Sequence, residues 1–154
     1  MSRVLLQNVY LFNTFNEKEL AAITALSHTQ SYSVSDTIFY KGEPAKAMYF
    51  IKNGSIKIQQ STKSGDPMDV ATLSAGSHFG EMPFVANEAR SATAVAAEPT
   101  ELIELPYEKL NVFLSQNKEA AVRFYRELAH FVCGRLRATT TDLGYAREKN
   151  LSHM

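Results

Sequence analysis

Glu81 and Arg90 stand nine residues apart in the segment GSHFGEMPFVANEARSATAVA, residues 76–96. The segment fits neither a strand nor a long helix. A loop opens at Gly76 and passes Phe79, Gly80 and Glu81. A short helical turn follows at about Pro83 to Ala86, and Arg90, Ser91 and Ala92 lead back into a strand. Arginine offers parallel N–H donors to two oxygens of one anion, which lysine does not. A phosphodiester is such an anion. Backbone N–H groups at the start of the short helix add donors at the positive end of a dipole. Ser91 adds a hydroxyl donor. An ionised carboxylate such as Glu81 is a strong acceptor for a sugar hydroxyl. Gly80 lets the backbone approach closely or take a positive φ. Taken alone, a glutamate and an arginine at this spacing are most simply a salt bridge across a loop.

Other chemistry is poorly represented. His28, His78, His130 and His153 have no metal-ligand spacing with one another or with Cys133. His78 reads as a loop histidine in solvent. Cys133 is the single cysteine, so no intramolecular disulfide forms, and its apolar helical setting reads as a buried structural thiol. No Gly-x-Ser-x-Gly, Walker or zinc-protease motif occurs. We expect no catalytic residues, no metal and no cofactor. Lys41 and Glu43 read as a solvated turn; Arg135 and Arg137 could meet a ligand or partner, but charges on an exposed helical face need no such role.

The elements that must position the segment run helix, many short strands, helix. Residues 3–27 read as helical in two pieces. Asn16 caps the second, Glu17 and Glu19 occupy its first turn, and Leu20, Ile23 and Leu26 share one face. From Tyr32 to Leu105 the runs are short and roughly alternating. Thr37–Tyr40 precedes the turn Lys41–Pro44. Met48–Lys52 and Ser55–Gln59 flank Asn53-Gly54, the strongest short hairpin signal in the chain. Ser61–Pro67 is a polar turn. Val70–Leu73, Ala92–Ala96 and Leu102–Leu105 read as further strands. This pattern suggests a small barrel or jelly roll. After Pro106 a short helix spans Tyr107–Ser115, and Asn117 caps a longer one reaching about Leu143. On it Ala121, Tyr125, Leu128, Val132, Leu136 and Leu143 recur at four-and-three spacing, with Thr139 at the next step. That stripe must pack on the barrel or on a partner helix.

Composition sets the outer bounds. The chain has 154 residues, 45% apolar and 21% charged, an ordinary single-domain balance. Lys plus Arg equals Asp plus Glu at 16 each, so no global basic field draws it to nucleic acid or acidic membranes. The opening MSRVLLQNVYLF is too short and too polar for a signal peptide or membrane span. A cytoplasmic protein is the default expectation.

Phe79-Gly80-Glu81 followed by Arg90-Ser91-Ala92-Thr93 closely resembles the phosphate-binding cassette of the cyclic nucleotide-binding domain family. That family includes the bacterial catabolite activator protein, the regulatory subunits of cyclic AMP-dependent protein kinase and cyclic nucleotide-gated channels. Ile38-Phe39-Tyr40-Lys41-Gly42-Glu43, then Met48-Tyr49-Phe50-Ile51 and Gly54, resemble the family's first strands. Leu11-Phe12 and Glu19-Leu20 resemble its N-terminal helices. The likeness covers about residues 5–143. It implies a mainly β fold, an eight-stranded jelly-roll β-barrel with N-terminal helices and a long C-terminal helix. One domain then fills 1–154, with the barrel at about 30–105, C-terminal helices at about 107–143 and a polar tail at 144–154.

By the same resemblance Glu81 takes the ribose hydroxyl, while Arg90 and Ser91 take the phosphate. Phe79, Gly80, Met82, Pro83 and Ala92 complete the cassette. Aligning Arg135–Thr140 with the family's last helix puts Thr139 and Thr140 against the base. Many members carry alanine where Pro83 stands, and in some that N–H reaches the phosphate. Proline has none, so one donor is missing, worth about 1–3 kcal/mol if not replaced. The resemblance implies a regulatory module for a cyclic nucleotide, cyclic AMP before cyclic GMP. Its C-terminal helix closes over the base. The stripe on that helix either packs on its own domain or, taken with the resemblance, forms a homodimer, and the output passes to an unidentified protein effector. An alternative is an interaction scaffold that kept the fold and lost the ligand. Another is the sensor part of a family transcription regulator, disfavoured because Gly144–Met154 are too few for a helix-turn-helix.

Overall fold

A computed structural model describes residues 6, 9–81, 84 and 86–152, with 142–152 described by backbone alone. A 3₁₀ turn at Tyr10–Phe12 leads into helix α1, Glu17–Leu26. Asn16 begins that helix with a capping box: its side chain accepts from Glu19 N–H, and the Glu19 carboxylate accepts from Asn16 N–H. Eight strands follow: β1 His28–Tyr32, β2 Thr37–Phe39, β3 Ala47–Asn53, β4 Ser55–Ser61, β5 Pro67–Ser74, β6 His78–Phe79, β7 Thr93–Ala96 and β8 Thr100–Pro106. Helices α2, Tyr107–Gln116, and α3, Lys118–Ser152, complete the chain. The strands β1 and β6 are additions to those read from the sequence.

The strands form two four-stranded antiparallel sheets, ordered β1-β8-β3-β6 and β2-β7-β4-β5, the expected jelly roll. Strand β3 shows how one run serves two cores. Ala47, Tyr49 and Ile51 point between the sheets with Ile56, Phe79 and Leu102. Met48 and Phe50 point the other way, under the helices, with Phe12, Ile103, Leu105 and Phe124. Period-two alternation therefore buries every residue from Ala47 to Ile51, and the run is continuously apolar.

The reading of Asn53-Gly54 as a hairpin is corrected. Strand β3 pairs with β8 and β6, while β4 pairs with β5 and β7, so the dipeptide is a corner between sheets. Gly54 takes φ +94°, as the signal requires, but the turn joins strands that do not pair. A Cβ there would lie 2.6 Å from the Pro99 carbonyl oxygen and 2.8 Å from Thr100 Cα. Thr100 secures the corner: its single hydroxyl hydrogen lies within reach of the carbonyl oxygens of Glu98, at 2.7 Å, and Ser55, at 3.1 Å, and its oxygen accepts from Ser55 N–H. The true hairpin is β4–β5, closed by Thr62 N–H donating to the Asp66 carbonyl.

Two further expectations change. Cys133 is exposed, not buried, because the buried face of α3 runs through Ala120, Phe124 and Leu128 and leaves Cys133 on the outside. The side chain of Asn117 donates back to Phe113 O, at the end of α2. Only its carbonyl serves α3, accepting from Ala121 N–H. The predicted stripe divides: Leu128 is buried, while Tyr125, Val132 and Leu136 face outward, Leu136 at 64% exposure. Leu143 lies among residues whose side chains are not described. Among the described residues no helix is long and apolar enough to cross a membrane.

Candidate functional site

The loop after β6 begins at Gly80 with φ +85° and continues into Glu81. Phe84 N–H donates to the Glu81 carbonyl, and Phe84 and Ala86 are helical. Met82 and Pro83 fall outside the described residues, and with them the question of the missing N–H. Asn87, at φ +54°, ends the helical turn and returns the chain toward Arg90. Arg90 N–H donates to Glu43 O, and Gly42 N–H donates to Arg90 O, at 2.9 and 2.8 Å. The side chains of the Lys41–Pro44 turn are solvated, as expected, but its backbone anchors the arginine.

Phe79, Gly80, Glu81, Arg90, Ser91 and Ala92 line one cavity of about 550 Å³. Strand β5 contributes Val70, Ala71 and Leu73 to the opposite wall, and α3 contributes Phe131 and Arg135. The volume and mixed lining suit a small polar molecule with an apolar part. Thr139 and Thr140 are exposed on α3 and do not line this cavity, and the Thr140 hydroxyl donates to Leu136 O.

Arg90 is only 5% exposed and Glu81 only 4%. The Arg90 guanidinium lies over the Phe39 ring, 4.0 Å from its centroid. Its Nη2 donates to Ala47 O at 2.6 Å, and its Nη1 donates to the Tyr107 hydroxyl at 3.4 Å. Its Nε has no hydrogen-bond partner among the described residues. No carboxylate neutralises it among them either. A buried charge in that condition carries a desolvation cost of several kcal/mol. The ring beneath it returns about 1–2 kcal/mol. The site therefore keeps a positive field that an entering anion would relieve.

Tyr107, at the start of α2, donates its hydroxyl to the Gly80 carbonyl while accepting from Arg90. Burial pushes this phenol up to about 12 against the pull of Arg90, so it stays protonated and keeps donating. Its ring packs on Phe84, whose ring in turn meets Phe124 and Tyr125 of α3.

His78 is corrected from a solvent-facing histidine to a nearly buried one, set among aromatic rings tilted against it and joined to Glu81 by Nδ1 to Oε2 at 3.3 Å. Burial pushes the Glu81 carboxyl up, but the hydrogen bond and charge of His78 outweigh it and hold the group below the usual carboxylate range. An ionised carboxylate only accepts, so Nδ1 carries the proton. Sequence reading also passed over Tyr107, Phe131 and Leu73. The four-residue step from Phe131 to Arg135, one helical face, was the only available hint. Among the described residues no group of three His, Cys, Asp or Glu side chains converges on a metal site.

Comparison with known proteins agrees with this geometry. The family model described as the cyclic nucleotide-binding domain matches residues 29–117. The chain is 32% identical over 125 residues to glutaminase 2 of Bradyrhizobium diazoefficiens, covering 81% of this chain and 19% of that protein. It is 29% identical over 140 residues to the cAMP-activated global transcriptional regulator Vfr of Pseudomonas aeruginosa, covering 88% of this chain and 64% of the regulator. The catabolite activator protein of Thermus thermophilus superposes with a TM-score of 0.75 at 28% identity, covering 87% of this chain and 61% of that one. The chain thus spans from about a fifth to under two thirds of these relatives. With a matching family model over more than half its length and the cassette residues on one cavity, the chain belongs to the cyclic nucleotide-binding domain family.

Proposed function

We propose that this domain binds a 3′,5′-cyclic nucleotide and acts as a regulatory sensor. The observation that carries the reading is Arg90: a buried guanidinium whose Nε has no partner among the described residues, facing a cavity it shares with an ionised Glu81. The arginine and Ser91 take the cyclic phosphate, and Glu81 accepts the ribose 2′-hydroxyl. Met82 and Pro83 belong to the same cassette. Cyclic AMP is the preferred ligand and cyclic GMP the alternative. Vfr is described as cAMP-activated, which supports that order. Thr139 and Thr140 serve as base contacts once α3 has moved, since they stand about one turn beyond Arg135. The exposed outer half of α3 leaves room for such a shift. The outward Tyr125, Val132 and Leu136 supply a seam for a second copy. The domain is a binding module and not a catalyst, and its output passes to a partner or an attached segment.

A second reading is a scaffold that holds no ligand. The inward Arg90, already bonded to Ala47 and Tyr107, favours it. Calorimetric titration with cyclic AMP and with cyclic GMP separates the two. Saturable binding is expected, tighter for cyclic AMP, and absence of binding to either at millimolar concentration overturns the sensor reading.

A further inference from the structure

Among the residues around the cavity, His78 is one whose placement the cassette resemblance does not account for. Its ring meets Tyr10 from the 3₁₀ turn at 4.9 Å, Phe131 from α3 at 5.6 Å and Phe50 from β3 at 6.2 Å between centroids. The ring is thus wedged by three elements, and its side chain is 10% exposed. Tyr10 also stacks on Phe131, centroids 4.5 Å apart, which closes the cage. Among the described residues only one ring nitrogen has a polar partner in this setting, and that partner is Glu81 Oε2.

We propose that His78 is a positioning residue that presents the Glu81 carboxylate to the ribose 2′-hydroxyl, and so sets how strongly the site discriminates ribose from 2′-deoxyribose. The inference rests on the reading of the site as a cyclic nucleotide pocket. The chemistry is that of a two-oxygen acceptor held by one oxygen. With Nδ1–H on Oε2, the carboxylate cannot rotate freely, and its two oxygens still have lone pairs with which to accept from a ligand. Without the histidine, a carboxylate this buried loses the largest of the interactions that offset its burial, and its negative form is disfavoured. A neutral, unfixed carboxyl is a poorer acceptor for a hydroxyl. The side chain that fixes Glu81 is itself fixed by Phe131, so the ribose contact is tied to the position of α3.

The test compares cyclic AMP with 2′-deoxy-cyclic AMP, by calorimetry, on the wild type and two variants. His78→Phe keeps an aromatic ring between Tyr10, Phe50 and Phe131 but removes the donor. His78→Asn restores an N–H near the Nδ1 position. Far-ultraviolet circular dichroism verifies that each is folded. The wild type is expected to favour cyclic AMP by about tenfold, the worth of one charge-assisted hydrogen bond. In His78→Phe that preference is expected to fall below about threefold, mostly through weaker cyclic AMP binding, with 2′-deoxy-cyclic AMP little changed. His78→Asn is expected to recover most of it. A packing role alone would weaken both ligands alike and leave the ratio intact. An unchanged ratio in His78→Phe, or a wild type without preference, overturns the proposal. A wild type that binds neither ligand overturns the cyclic nucleotide reading itself.

Discussion

Glu81 and Arg90 line one cavity, yet among the described residues no ion pair joins them. Glu81 is held by His78, and Arg90 by Ala47 O, the Tyr107 hydroxyl and the Phe39 ring. The simplest account of a glutamate and an arginine on one loop therefore fails. Each charge is held by a separate set of contacts, and each retains bonding capacity toward the space between.

Arg90→Met should separate binding from stability. It removes, at nearly constant volume, a buried charge that no carboxylate neutralises among the described residues, and with it that charge's desolvation cost. The melting temperature is expected not to fall, while cyclic AMP affinity drops by at least about tenfold. Paired thermal melts and calorimetry check both halves. Undiminished affinity would remove Arg90 from the site.

Gly80→Ala should damage the same site through the backbone. The residue sits at φ +85°, and a Cβ there would lie 2.8 Å from Arg90 Nη1 and 3.3 Å from Ala47 O. The expected cost is about 1–2 kcal/mol of stability, with a displaced arginine and weaker nucleotide binding. Urea titration and calorimetry read the two effects.

Gly54→Ala should cost more stability and leave the cavity alone. Its Cβ would strike Pro99 and Thr100 backbone at under 3 Å, at φ +94°. We expect a loss of roughly 2–4 kcal/mol, with nucleotide affinity of the folded protein unchanged. A loss well under 1 kcal/mol in urea titration would contradict the close approach of Gly54 to Pro99 and Thr100.

The Glu19–Arg123 pair should make part of the stability acid-labile. Arg123 Nη1 and Nη2 donate to the two Glu19 oxygens at 3.0 and 2.7 Å, tying α1 to α3. That hydrogen bonding holds Glu19 below its ordinary value of 4.5. A lowered carboxyl contributes fully above the unfolded value and is lost as pH falls through the folded one. Arg123→Met is expected to be about 1 kcal/mol less stable than wild type near neutrality, since Arg123 is partly solvated. Urea titrations should show the gap closing as pH falls below 4.5. A gap independent of pH would assign the effect to packing alone.

Leu136→Glu should dissociate the proposed homodimer. The side chain is exposed on the outer face of α3, in line with Tyr125 and Val132. A charge placed in that seam is expected to shift sedimentation from dimer to monomer with the melting temperature of the domain retained. A wild type that sediments as a monomer at high concentration overturns the dimer.

What the sequence determined by itself is local. The Asn16 cap, the positive-φ turn at Gly54, the apolar run of β3 and the loop carrying Phe79–Glu81 and Arg90–Ala92 all follow from neighbours a few residues apart. Such signals record backbone angle, periodicity and side-chain chemistry. Which strand lies beside which is another matter. Asn53-Gly54 prescribes a tight turn but not the partner of the strand that leaves it, and here β8 and β6 had already claimed both edges of β3. His78 gave no sign of burial, because its cage is assembled from residues 10, 50 and 131. The arginine was legible as an anion donor. That it would lie over Phe39, bonded to a tyrosine from α2 and with no carboxylate among the described residues, was decided only when distant segments packed together and excluded water around it.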